Sequence, residues 1–411
     1  MTPFWAAAGI FGATYLLLSF QSLPGVFIRR PAAALIGAVA MVSAGVVSLH
    51  TAYSLVDMDT LVFILGMMIV IGYLEVSGFF EQVEAFLLQD AKTPRQLLGL
   101  VVASSGLLSA LFMNDTICLM FTPLVLRVAR KCRRNPAPYL IALATASNIG
   151  STFTPMGNPQ NMIVAVHSKI PFLSFVWRLA PLALLGLWLD YLVLVRAYPA
   201  EFAPGGEISL PDIQAPPLRG RLLYACLGAT AVLLVLLSLD VHPPLAAIVV
   251  AAALILAGAT QPREAFAKID WELLLMFACL FVVMGGVRQS GLLAALMDPL
   301  SKTSEAGPLL RLSALSAVSA ALSNLVSNVP AVVFLSNLLP GAGADRPLWL
   351  ALAASSTLAG NLTLIGSVAN LIVFESARKE CRVGFGEYAR AAAPLATALV
   401  VLSVFWLWLV G

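Results

Sequence analysis

Charge is what this sequence has least of. Charged residues make up 11% of its 411 residues and hydrophobic residues 60%, whereas soluble domains carry about 25% charge. Apolar runs such as 222–239 and 394–410 are long enough to cross the ~30 Å hydrocarbon core of a bilayer as helices. Alternating segments of about 10 residues, which are typical of membrane β-barrels, are not found. The composition excludes a soluble domain and predicts an all-α integral membrane protein.

Motifs of metal and nucleotide chemistry are also lacking. The five cysteines form no CxxC pair, and the three histidines are scattered along the chain. No GxxxxGK[ST] pattern is present, so drive by ATP would need a separate subunit. Residues 1–23 have no basic leader and no small-residue cleavage site, which favours a first transmembrane helix over a signal peptide. We predict neither an enzyme nor a resident cofactor.

Breaks at proline, glycine and charged residues divide the chain into two similar series. The first series predicts helices at 4–23, 31–49 and 60–78, a helical hairpin at 97–130, an interrupted helix at 138–166 and a helix at 172–195. Residues 197–218 contain no apolar run and predict a linker. The second series predicts helices at 219–239, 243–260 and 271–290, a hairpin at 308–339, an interrupted helix at 347–374 and a helix at 390–410.

Matching residues show that the two series are an internal duplication. Residues 56–78 align with 269–291 at an offset of 213, and SALFMN (109–114) aligns with SNLVSN (323–328) at 214. TPMGNPQNMIV (154–164) aligns with TLIGSVANLIV (363–373) at 209. We therefore predict a first repeat at 1–196, a cytoplasmic linker at 197–218 and a second repeat at 219–411.

An odd number of crossings makes the repeats inverted. Each repeat has five crossing helices and one re-entrant hairpin, so the second must enter the membrane upside down. With alternating crossings, all but six of the 24 Lys and Arg fall on one face. Because cytoplasmic loops are rich in basic residues, we expect that face to be cytoplasmic and both termini to lie outside. The exceptions are Lys169, Arg178, Arg288, Lys302, Arg311 and Arg346.

Polar residues interrupt the apolar pattern at two hairpin tips and in two broken helices. Non-helical backbone is tolerated at membrane depth only where protein or a watery cavity satisfies it. Half-helix N-termini can face an anion there, and freed carbonyls can coordinate a cation. Isolated small polar residues also join transmembrane helices, but four symmetric breaks favour a midplane solute site. Its candidate residues are Asn114, Asp115, Thr116, Asn148, Ser151, Thr152, Thr154, Asn158, Asn161, Ser327, Asn328, Asn361, Thr363, Ser367 and Asn370.

Asp115 is the one carboxylate expected at a hairpin tip. A charge at the bilayer centre costs about 2.5–3.5 kcal/mol on insertion scales, so such residues are functional by default. Asp115 suits the binding of a coupling proton or cation, and a Na⁺ site is expected near Asn114, Asp115 and Asn328. The alternative is that Asp115 only caps the second hairpin helix.

These motifs resemble the ion transporter superfamily, from about residue 30 to the end. That superfamily includes arsenite pumps, NhaD-type sodium/proton antiporters, citrate–metal symporters and divalent anion:sodium symporters. The last group has Ser-Asn-Thr at both tips, and here 113–115 and 327–329 share only the asparagine. Asn114-Asp115 and GNLTLIGSVAN (360–370) look closer to the arsenite-pump and NhaD branch and its bacterial anion permease relatives. The resemblance implies a citrate-transporter-like fold, an elevator mechanism and a homodimer.

The sequence thus predicts a secondary active transporter of a small anion or oxyanion, coupled to H⁺ or Na⁺. The alternative is a sodium/proton antiporter in which Asp115 is the exchanging carboxylate. Expected partners are the small anion, the lipid bilayer and a second copy of the chain, but no nucleic acid. The expected location is the inner (plasma) membrane, with multiple passes.

The topology can be tested by labelling with an impermeant thiol reagent in a background without native cysteines. Single cysteines at the termini should react in intact cells, because both termini are expected outside. Single cysteines in 197–218 should react only after permeabilisation. Labelling of 197–218 in intact cells would reverse the predicted orientation.

Overall fold

The structure is a computed structural model of the whole chain. It describes residues 3–19, 29–83, 91–203, 219–258, 260–295, 307–339, 341 and 344–410. Regular structure in these ranges is helical throughout. The end of the first predicted helix (20–23) and most of the predicted linker (204–218) lie outside the described residues.

Residues 79–83 and 292–295 are helical, and nine further helices lie in each half of the described chain. Those of the first half are α1 Pro3–Ser19, α2 Arg30–Ser43, α3 Leu49–Leu55, α4 Met58–Val76, α5 Pro94–Leu111, α6 Asn114–Lys131, α7 Ala137–Ser151, α8 Pro159–Ser168 and α9 Phe172–Ala197. Those of the second are α10 Gly220–Ser238, α11 Pro243–Leu256, α12 Pro262–Phe266, α13 Trp271–Gln289, α14 Pro308–Val326, α15 Asn328–Ser336, α16 Arg346–Ala359, α17 Val368–Ala377 and α18 Phe385–Val410. Both hairpins and both interrupted helices therefore form where they were predicted.

Two predicted helices are too long. The predicted helices 31–49 and 243–260 end at Ser43 and Leu256, and the short helices α3 and α12 follow them. The cause is a glycine just past each end: Gly45 has φ +70° and Gly258 has φ +59°. Glycine adopts this left-handed conformation without steric penalty and terminates helices there. The two glycines are 213 residues apart, so the stop is itself duplicated.

The helices pack crosswise between the halves. α2 and α3 of the first half pack on α13 of the second, and α11 and α12 of the second pack on α4 of the first. α6 packs on α17, and α15 packs on α8. Each contact has its counterpart under exchange of the halves, as the duplication requires. Neither half encloses its own core.

The outer surface of the bundle suits a lipid environment. Seven of the described helices are long and apolar enough to cross a membrane: α4, α5, α9, α10, α13, α14 and α18. Large apolar side chains are exposed on them, including Trp177 (81%) and Leu409 (73%). In water such a surface would be a liability, whereas in hydrocarbon it needs no cover. The protein is a multi-pass membrane protein.

Gly66 marks a close approach of backbone to backbone in the crosswise packing. A Cβ at Gly66 would lie 2.8 Å from the backbone carbon of Ala247 on α11. We expect Gly66→Ala to lower the free energy of unfolding by about 1–3 kcal/mol, as overpacking does in other cores. Thermal unfolding of the purified protein in detergent measures this.

Gly228→Ala is the matched control, because Gly228 lies on α10 with nothing within 4 Å of the position of the added Cβ. It should be neutral or stabilising by about 0.5–1 kcal/mol, since glycine disfavours helix interiors. Equal unfolding midpoints for the two variants would contradict this account of the α4–α11 contact.

Candidate functional site

The two hairpin tips are sharp turns at equivalent positions. Only 112–113 separate α5 from α6, and only Ser327 separates α14 from α15. Ser327 has φ +81° and ψ 159°, a conformation that is nearly confined to glycine and costs about 1–3 kcal/mol. Such strain persists where the surroundings enforce it, and it is common at ligand sites. The turns leave the N-termini of α6 and α15 at the tips.

Each broken helix is closed by one asparagine. The Asn161 amide nitrogen donates to the carbonyls of Ser151 and Thr154, both at 3.1 Å. The Asn370 amide nitrogen donates to the carbonyls of Gly360 (2.9 Å) and Thr363 (3.2 Å). These carbonyls lie where the helix unwinds, and the asparagine gives each of them a side-chain donor, in addition to the donors that three of them already have. Each residue of the second set lies 209 residues after its counterpart in the first: Gly360 after Ser151, Thr363 after Thr154 and Asn370 after Asn161.

A second symmetric pair of contacts ties the two broken helices together. Ser367 Oγ donates to Asn148 Oδ1 at 3.0 Å, and Asn158 Nδ2 donates to Thr357 Oγ1 at 3.3 Å. Ser367 is equivalent to Asn158, and Thr357 to Asn148. The same contact is therefore made twice, once in each direction across the centre of the molecule.

Asn148 is the hub of this network. Its Oδ1 accepts from Asn114 Nδ2 (2.8 Å) as well as from Ser367, and its Nδ2 donates to Asn361 (2.7 Å) and Asn370 (3.0 Å). An asparagine side chain has two donors and two acceptor sites, so the capacity of Asn148 is used up by protein. Its role is to hold the first hairpin tip against the second broken helix.

A small cavity lies between the two tips, and we call it the tip cavity. Its volume is about 20 Å³, room for about one water. It is lined by Arg30, Asn114, Asp115, Pro159, Gln160, Leu273, Met276, Ser327, Asn328, Val329, Pro330, Ser367 and Val368. The site is thus closed around a space too small for most solutes.

Arg30 is the cation of the tip cavity. It is the first residue of α2, and its Nη1 donates to Ser327 Oγ at 3.1 Å. Among the described residues, its buried Nε has no hydrogen-bond partner, and neither has the buried Oδ1 of Asn114. A buried N–H of a guanidinium normally finds an acceptor. The residues that line the cavity therefore include a donor and an acceptor that no described group uses.

Asp115 borders the tip cavity and a second cavity. The second, which we call the side cavity, has a volume of about 130 Å³ and also borders Glu75, Thr116, Lys268 and Asp270. Lys268 Nζ lies 2.5 Å from Glu75 Oε1. Asp115 lies in the first turn of α6, where its negative charge is favoured by the helix dipole. It interacts electrostatically with Arg30 and with Asp270.

The capping role considered for Asp115 is not seen. The residue in the cap position of α6 is Met113, and no side chain caps this helix end. Asp57 and Asp270 do cap their helices: their carboxylates accept from the backbone N–H groups of Thr60 and Leu273. Asp115 instead lines the tip cavity and the side cavity.

The predicted site residues separate into two groups. Asn114, Asp115, Ser327, Asn328 and Ser367 line the tip cavity, and Thr116 borders only the side cavity. The rest belong to the network that closes and joins the broken helices, and all but the half-buried Thr363 are buried: Asn148, Ser151, Thr152, Thr154, Asn158, Asn161, Asn361, Thr363 and Asn370.

Arg30 and Gln160 line the tip cavity and were missed by the sequence analysis. The sequence analysis placed Arg30 with the other basic residues of the cytoplasmic face, whereas in the structure its guanidinium contacts the second hairpin tip. Nothing in the sequence distinguishes Arg30 from its neighbour Arg29.

Comparison with known proteins identifies the family. The profile of the citrate transporter family, CitMHS, matches residues 15–354. The silicon efflux transporter LSI3 of Oryza sativa subsp. japonica is 32% identical over 90% of this chain and 90% of its own. The chain belongs to the citrate transporter family.

Two bacterial proteins are similar to this chain over most of its length. The uncharacterized transporter Rv2685 of Mycobacterium tuberculosis is 29% identical and covers 98% of both chains. The inner membrane protein YbiR of Escherichia coli is 30% identical over 78% of this chain and 80% of its own. This protein is a membrane transporter of the ion transporter superfamily and not an enzyme.

A solved structure shares the fold. The YdaH transporter of Alcanivorax borkumensis, described as having an unusual topology, aligns with a TM-score of 0.55 over 98% of this chain and 96% of its own. Only 15% of the aligned residues are identical, so the likeness extends to the fold alone.

Proposed function

We propose that this protein is a secondary active transporter that moves a small anion or oxyanion, coupled to H⁺ or Na⁺, through the site between its two hairpin tips. The observation that carries the proposal is Arg30. Its partly unpartnered guanidinium lies in the tip cavity beside the N-termini of α6 and α15. Guanidinium groups and helix N-termini both favour anions.

Neutral donors complete an anion site. Ser327 and Gln160 offer a hydroxyl and an amide N–H on the cavity wall. Asn328 is anchored when its amide nitrogen donates to the carbonyls of Gly366 (3.2 Å) and Ser356 (3.0 Å). An oxyanion bound here would accept from Arg30 Nε, so that the guanidinium would have partners on more than one nitrogen.

Asp115 is the coupling group in this proposal. Bound to a proton or a Na⁺ ion it would be neutralised, and the net charge of the cavity would then favour an anion. Unneutralised, it competes with the anion for Arg30. Its place between the tip cavity and the side cavity gives ion and solute a shared compartment.

The small size of the tip cavity supports a closed state in a cycle of movement. A solute can enter only if the tips separate or the surrounding unit moves. In the elevator mechanism that we propose, hairpins and broken helices (α5–α9 and α14–α18) move as one unit against α1–α4 and α10–α13. Their internal network, with Asn148 at its hub, is suited to moving without disruption. A homodimer in the inner membrane, with both termini outside, completes the proposal.

Sodium/proton antiport is the second candidate. The observation that favours it is the proximity of two carboxylates, Asp115 and Asp270, which interact electrostatically. A pair of acids suits a cation that exchanges with protons. Arg30 counts against a site for a cation alone, because a like charge in the same cavity repels it.

The experiment is uptake by proteoliposomes of silicic acid, arsenite and citrate, each with pH and Na⁺ gradients imposed separately. Wild-type protein should accumulate at least one of them. Arg30→Gln should weaken its binding roughly 10–100-fold, since hydrogen bonds to charged groups contribute about 1.5–3 kcal/mol. Arg30→Lys should be intermediate because lysine keeps the charge and loses the fork of donors.

Arg29→Gln is the matched control: Arg29 is exposed one residue earlier and should tolerate the same change. Equal affinity in Arg30→Gln and Arg29→Gln would remove Arg30 from the site. Proton flux driven by Na⁺ without uptake of any of the three solutes would favour the antiporter.

Asp115→Asn tests coupling. Asparagine keeps the size of the side chain but neither releases a proton nor neutralises a cation. We expect solute exchange without a gradient to continue and accumulation against a gradient to be lost. Asp59→Asn, an exposed first-turn aspartate of α4, is the control. Accumulation by Asp115→Asn at the wild-type level would exclude Asp115 as the coupling group.

A further inference from the structure

Asp190 is a buried carboxyl of α9 that the proposed function does not use. It is 1% exposed, and its one hydrogen-bond partner among the described residues is Thr145 of α7, with Thr145 Oγ1 2.9 Å from Asp190 Oδ2. An ionised carboxylate buried with one neutral hydrogen bond is costly, and such groups are normally paired with a cation.

The hydroxyl of Thr145 can serve either charge state of Asp190. Thr145 Oγ1 also lies 2.8 Å from the carbonyl oxygen of Ile141, and a hydroxyl carries a single hydrogen. If that hydrogen goes to Ile141, Oγ1 is free to accept a hydrogen from protonated Asp190. If Asp190 is ionised, the Thr145 hydrogen turns to the carboxylate and Ile141 loses it.

Thr145 is linked to Asn148, the hub of the site, through Asn361. Its backbone carbonyl accepts from Asn361 Nδ2 at 3.0 Å. Asn361 Oδ1 accepts from Asn148 (2.7 Å), and Asn148 Oδ1 accepts from Asn114 at the first hairpin tip (2.8 Å). A change in α7 around Thr145 therefore reaches the tip cavity through three hydrogen bonds.

The charged and titratable surroundings of Asp190 are sparse. α18 contributes Tyr388, which interacts electrostatically with Asp190 and accepts from Asn370 at 2.9 Å. α5 and α7 bring Arg95 and Tyr139, but these bond to residues 202 and 201, past the end of α9. No described side chain of α10 or α16 interacts electrostatically with Asp190.

We propose that Asp190 is a proton-binding site, separate from the tip cavity, whose occupancy sets the hydrogen bonds that hold Asn114 at the first hairpin tip. Its effect on solute rests on the proposed function, whereas its binding of a proton does not. Protonation adds H⁺ to the carboxylate oxygen nearest Thr145, and the Thr145 hydrogen then returns to Ile141.

Infrared spectroscopy of the purified protein tests proton binding without any solute. Wild type should show a carboxylic acid C=O band that disappears as pH rises. The band should be absent from Asp190→Asn and present in Asp240→Asn, a control at an exposed loop carboxylate. Identical spectra for wild type and Asp190→Asn at every pH would overturn the proposal.

If Asp190→Asn does not fold, Thr145→Val replaces it. Loss of the hydroxyl should shift the frequency of the same band, and an unshifted band would again overturn the proposal.

Solute exchange with equal pH on both sides tests the link to the tip. The probe is the solute among silicic acid, arsenite and citrate that wild type exchanges. The wild-type rate should vary with pH, and the Asp190→Asn rate should vary less, since asparagine imitates the protonated acid and only Asp115 then remains to bind a proton. A wild-type pH profile in Asp190→Asn would sink the link, while exchange of none of the three solutes by wild type counts against the proposed function and leaves the infrared test in force.

Discussion

Carbonyl groups freed inside a bilayer need donors, and the rest of this structure depends on how two asparagines supply them. Asn161 and Asn370 each donate to two carbonyls, one at the end of the preceding helix and one inside the break. Each asparagine adds a donor where the chain unwinds, and backbone at membrane depth needs such partners. The unwound segments can then approach the hairpin tips. Without them the tips would face continuous helices.

Charge is confined to a few places in this site. Most of its polar groups are neutral amides and hydroxyls that satisfy one another, and Asn148 is fully occupied by four such contacts. Against this neutral background Arg30 and Asp115 stand out as the two ionisable groups at the tip cavity. The neutral groups set the shape of the site. In the proposed function the charges of Arg30 and Asp115 set its preference for an anion, so neutralising either charge should change that preference strongly.

The order of helices, hairpins and breaks could be predicted from the sequence because each pattern occurs in both repeats, and two weak patterns at a fixed offset support each other. The tips and the breaks recur at fixed offsets, and both form as predicted. Functional residues that occur in one repeat alone were not predicted from the sequence. Arg30 looks like any flanking arginine, and its equivalent position holds a proline. Asp190 lies in a long apolar run with no second acid to match it, and only packing shows that it meets Thr145.

Crosswise packing also has a consequence for biosynthesis. Asn148 is inserted with the first half, yet three of its four partners belong to residues 361–370 of the second half. At translation rates of about 5–20 residues per second, roughly 10–40 s separate them. Through that interval the nascent first half holds an asparagine in the membrane with most of its hydrogen bonds unmade. Until then, water or the insertion machinery must supply partners for Asn148. The second half of the chain supplies the permanent ones when it is inserted.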